Sequence, residues 1–294
     1  MDRAGRLVEW LAGRQRGERR PNRVRLDRLG YAGPILEVAA RRWRGDLVTE
    51  GVERVVEETP VAIIYNGVAH VVMMATPLDL EDFALGFSIT EELIRTRADL
   101  HHVEVVRYSQ GIELQVAVAA ECEGVIGSRA RRFTGRTGCG ICGADGVAAV
   151  LKTVHPVADG PPIKPEAIRA ALAALASRQP LNREAGAVHA AGWATAAGAL
   201  HAVREDVGRH NALDKLVGAV LKEGIDPASG FVVVTSRASF EMVQKTATLG
   251  APLLAAISGP TGLAVRVAEQ SSLTLVGFAR GADLTVYTRP DRVG

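Results

Sequence analysis

The chain has 294 residues, 47% of them hydrophobic and 23% charged, which excludes disordered and collagen-like chains and provides a core for one large or two modest domains. Its formal charge of +2 gives no global drive toward nucleic acid or a membrane surface, and no apolar run is long enough to cross a bilayer. Three cysteines are too few, and odd in number, for a disulfide framework; with no apolar leader in Met1–Arg20 they are expected as reduced thiols in a cytoplasmic protein.

The small net charge conceals an uneven distribution. Residues 1–44 hold twelve arginines against five acids, so the remainder is acidic. With only Trp10, Tyr31 and Trp43 as aromatics, this head is poor in stacking groups for nucleic acid. It is expected as a solvated extension over 1–45, with the core starting near Asp46.

Residues 46–120 read as an α+β part with two hairpins. Val61–Tyr65 and Val68–Met74 flank Asn66-Gly67, the strongest short-range hairpin signal, because a type I′ turn needs positive φ at both positions. Leu78–Ile94 follows as a helix, with Pro77 near its start, Asp79, Glu81 and Asp82 suiting its N-terminal dipole, and Leu80, Phe83, Ala84 and Phe87 on one face. Val103–Tyr108 and Ile112–Val118 form the second expected hairpin.

Residues 121–147 change character. Seven glycines lie between Cys122 and Gly146, interleaved with Arg129, Arg131, Arg132 and Arg136, and predict an irregular, flexible segment. Residues 148–294 then read as an α/β core. Helices are expected over Pro165–Arg178 and Asn211–Glu223. Strands Phe231–Thr235, Leu253–Ile257, Leu273–Val276 and Leu284–Thr288 alternate with helices Phe240–Leu249 and Gly262–Glu269, the pattern of parallel βαβ units.

Ligands of open α/β sheets bind beyond the carboxyl ends of the strands. Thr235-Ser236-Arg237, Ser258-Gly259-Pro260-Thr261 and Gly277-Phe278-Ala279-Arg280-Gly281 follow three of these strands. Helix N-termini and arginines suit an anion such as a phosphate, although Ser236 and Thr261 also read as ordinary N-caps. Arg204-Glu205-Asp206-Val207-Gly208-Arg209-His210-Asn211, a polar run of both signs opening an apolar helix, is a second candidate site, whereas His189 and His201 read as structural.

The most specific signal is Thr137-Gly138-Cys139-Gly140-Ile141-Cys142-Gly143. A structural zinc site would need four ligands, and no second pair is evident even with Cys122. A zinc deaminase is suggested by His102-Val103-Glu104 upstream, but no proline precedes Cys139 and His102 sits in a strand-like run. Metal-free thiol chemistry fits better, because neighbouring arginines favour a thiolate and glycines let the segment carry sulfur between sites.

TGCGICG, REDVGRHNALDK and the SGPTGLAV and LVGFARG stretches resemble the formate dehydrogenase accessory sulfurtransferase family over roughly Thr59–Thr288. The resemblance implies an α/β fold with a cytidine-deaminase-like core, its sheet mixed or mostly parallel, and a smaller α+β N-terminal part. It implies a cytoplasmic homodimer that accepts sulfur from a cysteine desulfurase and passes it to the bis-molybdopterin guanine dinucleotide molybdenum cofactor for apo formate dehydrogenase. By position it makes Cys139 the persulfide-bearing residue and Cys142 its companion. It assigns cofactor binding to Phe278, Ala279, Arg280, Gly281, Ala282 and Asp283, with no structural metal. Gly259 departs from the alanine common in the family.

Overall fold

A computed structural model describes residues 33–130 and 154–294 of the chain. Ile35–Arg44 (β1) and Leu47–Val56 (β2) pair as a two-stranded antiparallel ribbon. The first of these strands falls within the stretch expected to be a solvated extension. Most of the ribbon's residues are exposed, and Arg41 pairs with Glu50, Arg42 with Glu53 and Arg54 with Glu37 across it.

The four-stranded sheet that follows has the order β4-β3-β6-β5, built from Thr59–Tyr65 (β3), Val68–Ala75 (β4), Leu100–Tyr108 (β5) and Gly111–Val118 (β6). Asn66 and Gly67 take φ of 46° and 81°, as the type I′ turn between β3 and β4 requires. Both expected hairpins form, and β3 also pairs in parallel with β6 to join them. Inward residues alternate along β3 (Val61, Ile63, Tyr65) and β6 (Ile112, Leu114, Val116), so one sheet face is buried.

That face packs on Leu80–Thr90 (α1). The helix is shorter than expected at both ends, since Asp79 and Glu92 sit in the left-handed region and interrupt helical geometry. Glu123–Ala130 (α2) is helical where glycine density predicted an irregular segment. Its glycines Gly124 and Gly127 have open space around them, Ile126 is buried, and Arg129 binds the Glu91 carbonyl and Glu92, so tertiary anchoring outweighs weak propensity.

The larger sheet is mixed, with the order β12-β11-β10-β9-β7-β8. Its strands are His189–Thr195 (β7), Leu200–Asp206 (β8), Gly230–Val234 (β9), Leu253–Ala256 (β10), Thr274–Arg280 (β11) and Asp283–Val286 (β12). β9, β10 and β11 are parallel as expected, whereas β12 returns antiparallel through a tight turn and β7 pairs antiparallel with β9. Pro165–Ser177 (α3) covers one face, where Ile168, Leu172 and Leu175 meet Phe231, Val233 and Ala255. A short helix, Pro180–Ala185 (α4), follows it.

Arg209–Lys222 (α5), Phe240–Leu249 (α6) and Gly262–Gln270 (α7) cover the other face. α1 lies directly on α5: a Cβ on Gly86 would come within 1.7 Å of the Asp214 carbonyl oxygen, and one on Gly218 within 1.9 Å of that of Asp82. The layers therefore run α3, six-stranded sheet, α5–α7 with α1, and four-stranded sheet. No helix among the described residues is long and apolar enough to cross a membrane.

Candidate functional site

The carboxyl ends of β8, β9, β10 and β11 gather at one edge of the larger sheet, and the N-termini of α5, α6 and α7 open onto it. Three loops there are stitched together. Thr235 donates its N–H to the Ala190 carbonyl (3.0 Å) and accepts from the Ala190 N–H through Oγ1 (2.9 Å). The Thr261 N–H donates to the Ala238 carbonyl (3.1 Å), and the Phe278 N–H to that of Ser258 (3.3 Å).

The capping expectation holds for one residue of two. Thr261 Oγ1 accepts from the Ala264 N–H at 3.2 Å, whereas Ser236 is buried and donates to the Arg237 carbonyl, leaving Ser239 at the N-cap position of α6. Arg237 is exposed. The N-terminus of α6 thus has no side-chain cap, and the exposed Arg237 precedes it by three residues, a combination suited to anions.

Phe278 to Asp283, expected as a loop after a strand ending at Val276, are instead the bulged end of β11, the turn and the start of β12. Phe278, Arg280, Gly281, Ala282 and Asp283 are exposed and Ala279 is buried. Phe278 has φ of +51°, an uncommon conformation for a bulky residue. Its ring lies over Gly259, where a Cβ would approach Cζ to 2.5 Å. The lack of a Cβ at Gly259 is what lets the ring settle there. The Arg280 Nε donates to the Ile257 carbonyl (2.9 Å), which holds the guanidinium across the end of β10. The Ala282 carbonyl is fixed by Arg169 (3.2 Å).

The cluster at Arg204–Asn211 is mostly absorbed by the interior. Arg204 binds Asp82 (2.6 Å), Glu205 accepts the Leu181 and Asn182 N–H groups at the start of α4, and Asp206 pairs with Lys215 (2.7 Å). Only its final part faces the edge, where His210 lies 2.9 Å from Glu241 of α6. His189, read as structural from sequence, stands at the same edge because β7 starts there. Burial, then the charges of Arg209 and His210, lower its pKa and favour the neutral ring. Glu241 carried no sequence signal beyond being an acid in a first helical turn.

Cys139 and Cys142 lie outside the described residues. The described chain ends at Ala130, at the close of α2 beside the carboxyl end of α1, and resumes at Val154. Val154 lines a groove of about 310 Å³ between α6 and α7, with Phe240, Gln244, Leu263 and Arg266. Cys122 is half-buried; burial, then Asp99 and Glu121, push its thiol pKa up, which disfavours a thiolate. His102 and Glu104 are exposed on β5. Among the described residues no group of three or more His, Cys, Asp or Glu is arranged to hold a metal.

The architecture is that of a known class of accessory protein. A crystal structure from Desulfotalea psychrophila, described as a formate dehydrogenase accessory protein, matches with a TM-score of 0.70 and 25% identity, over 88% of this chain and 99% of that one. The chain belongs to the FdhD/NarQ family, whose model matches residues 56–294. It is 47% identical over 274 residues to a protein of Bordetella petrii named sulfur carrier protein FdhD, covering 91% of this chain and 99% of that protein. It is 50% identical over 253 residues to one of the same name from Xanthomonas axonopodis, covering 86% and 90% respectively.

Proposed function

We propose that this chain is a sulfur carrier and sulfurtransferase that loads sulfur on Cys139 and delivers it to the bis-molybdopterin guanine dinucleotide molybdenum cofactor destined for formate dehydrogenase. What carries the reading is near-50% identity to proteins named sulfur carriers, over nine-tenths of the chain, together with Cys139-Gly-Ile-Cys142 in an arginine-rich setting. In the loading step the Cys139 thiolate attacks the outer sulfur of a cysteine desulfurase persulfide and expels the desulfurase thiolate. One sulfur moves with no net redox change. For release, the Cys142 thiolate attacks the inner sulfur of the Cys139 persulfide, forming a disulfide and freeing hydrosulfide, and a dithiol reductant then returns the pair to thiols for the next round.

The cofactor is cargo here, and its phosphates suit the helix N-termini, Arg237 and Arg280 at the strand ends. Cofactor contact is proposed for Phe278 through Asp283. The protein is proposed to act in the cytoplasm, with a desulfurase and apo formate dehydrogenase as partners. The core is read as cytidine-deaminase-like on resemblance, without deaminase activity, since fold kinship does not carry function.

Mass spectrometry after incubation with cysteine and a desulfurase tests the reading. An adduct of about 32 Da, one persulfide sulfur, lost in Cys139→Ala, is expected. No adduct on either cysteine overturns it and leaves a chaperone that only binds and hands over the cofactor.

A further inference from the structure

Arg209 is a half-buried arginine that no acid neutralises among the described residues. Its Nε is buried there without a hydrogen-bond partner. The acids around it are already committed: Asp206 pairs with Lys215, Glu205 accepts from the start of α4, and Glu241 lies 2.9 Å from His210. Position makes the charge less favourable still. Arg209 opens α5, where a cation opposes the helix dipole by about 0.3–1 kcal/mol. Neither α5 nor α6 has a side-chain cap, so the first N–H groups of both helices lack an intrahelical partner as well. Folding alone does not favour a buried donor left unmet beside such helix ends, and an anionic ligand removes the conflict.

Strand register places a second donor beside it. β7 runs antiparallel to both β8 and β9, with His189 opposite Asp206 and Ala191 opposite Val234. Its first residue, His189, therefore stands between the loop that leads into α5 and the loop that carries Arg237. Burial first, then the nearby charges of Arg209 and His210, keep the His189 ring neutral, and a neutral ring retains one N–H to donate. On the other side of β9, Arg280 is held across the end of β10 by the Ile257 carbonyl. β7 and β10 are two strand spacings apart, about 10 Å, so donors flank the end of β9 from both sides.

We propose that Arg209 and His189 are ligand-binding residues, which with Arg237 and Arg280 cradle the diphosphate of a nucleotide at the carboxyl end of β9. An arginine offers two parallel N–H groups to a phosphate, and the uncapped helix N-termini add theirs. The Glu241–His210 contact ties the first turns of α5 and α6 together and so fixes the spacing between Arg209 and the loop of Arg237. The inference rests on the cofactor-cargo reading for the identity of the nucleotide, and on nothing in the sulfur chemistry.

The test is calorimetry on the full chain with pyrophosphate and, separately, guanosine diphosphate. Arg209→Gln is expected to weaken both by about tenfold or more, the loss of one charge-assisted contact. His189→Ala should weaken both several-fold, and circular dichroism should be unchanged in each variant. Arg107→Gln removes an exposed charge on β5 and should leave both affinities as they are, which separates the subsite from net charge. In the unaltered chain, pyrophosphate should shift the ring resonances of His189. Affinities indifferent to Arg209→Gln, an equal loss in Arg107→Gln, or unmoved His189 resonances would overturn the proposal while leaving the cargo reading in place. No binding of either ligand by the unaltered chain would overturn it as well. Pyrophosphate bound as tightly as guanosine diphosphate, with both weakened by Arg209→Gln, would support the subsite and count against the nucleotide cargo.

Discussion

Lys215 Nζ lies 2.7 Å from Asp206 Oδ2, and both side chains are completely buried. The pair is the centre of a polar knot that joins the two sheets. Asp206 also accepts from the N–H groups of Thr76 (3.0 Å) and Gly208 (2.8 Å), while Lys215 donates to the Thr76 carbonyl (2.8 Å). Asn211 Nδ2 reaches both Asp206 and the Met74 carbonyl. The end of β4 is thereby fastened to the start of α5.

Removing one partner leaves a buried charge uncompensated, at a cost of about 3–5 kcal/mol. Asp206→Leu is expected to lower the unfolding free energy obtained from urea denaturation by that amount. Adding Lys215→Met should recover much of the loss, because the unpaired ammonium is then gone. A double variant no more stable than Asp206→Leu would show that the backbone bonds to Asp206, and not the ion pair, dominate.

Contact between α1 and α5 yields a second prediction. Gly86→Ala places a methyl group inside the van der Waals shell of the Asp214 carbonyl and forces two helix backbones apart. A loss at or above the upper end of about 1–3 kcal/mol is expected in thermal unfolding. Gly124→Ala is the contrast, since nothing lies within 4 Å of its Cβ position in α2. It should stabilise by up to about 1 kcal/mol through helix propensity.

His70 predicts an acid dependence. Its ring is buried edge-on against Tyr65 and Phe87. Burial lowers its pKa to about 4, with Glu91 opposing and Arg129 assisting. The unfolded chain then binds a proton that the folded one refuses. The stabilisation is complete above about pH 6.5 and declines as pH falls toward 4, by up to about 3 kcal/mol. Denaturation at pH 7.5 and pH 5 measures it, and His70→Gln should flatten the difference between the two.

At the strand ends, Arg280→Ala should weaken guanosine diphosphate binding by roughly tenfold or more, the loss of one charge-assisted phosphate contact. Calorimetry reads this directly, and unchanged affinity would remove Arg280 from the site. Gly259→Ala should displace the Phe278 ring, visible as shifted aromatic resonances with little change in stability.

Lys245 adds a caution about charge read in isolation. Burial works against its ammonium, yet Asp214 and Glu91 outweigh burial and raise its pKa. From sequence this lysine in a helical run looks like any solvated one. Its role in joining α6 to α5 and α1 depends on partners 31 and 154 residues away.

The sequence by itself determined what local geometry encodes. Asn66-Gly67 specifies its turn because few other residues tolerate positive φ twice in succession, and the apolar spacing of Leu80, Phe83, Ala84 and Phe87 marks the helix α1, although packing buries nearly all of its residues. The cysteine motif and family resemblance were likewise legible without coordinates. Only the tertiary structure decided the parallel pairing of β3 with β6, the antiparallel entry of β7, and the burial of the Arg204–Asn211 cluster. It also decided that Phe278–Asp283 is a bulged strand end and that His189 and Glu241 share its edge of the sheet. Such outcomes depend on which distant groups meet and how fully they are desolvated, and residue spacing carries no term for either.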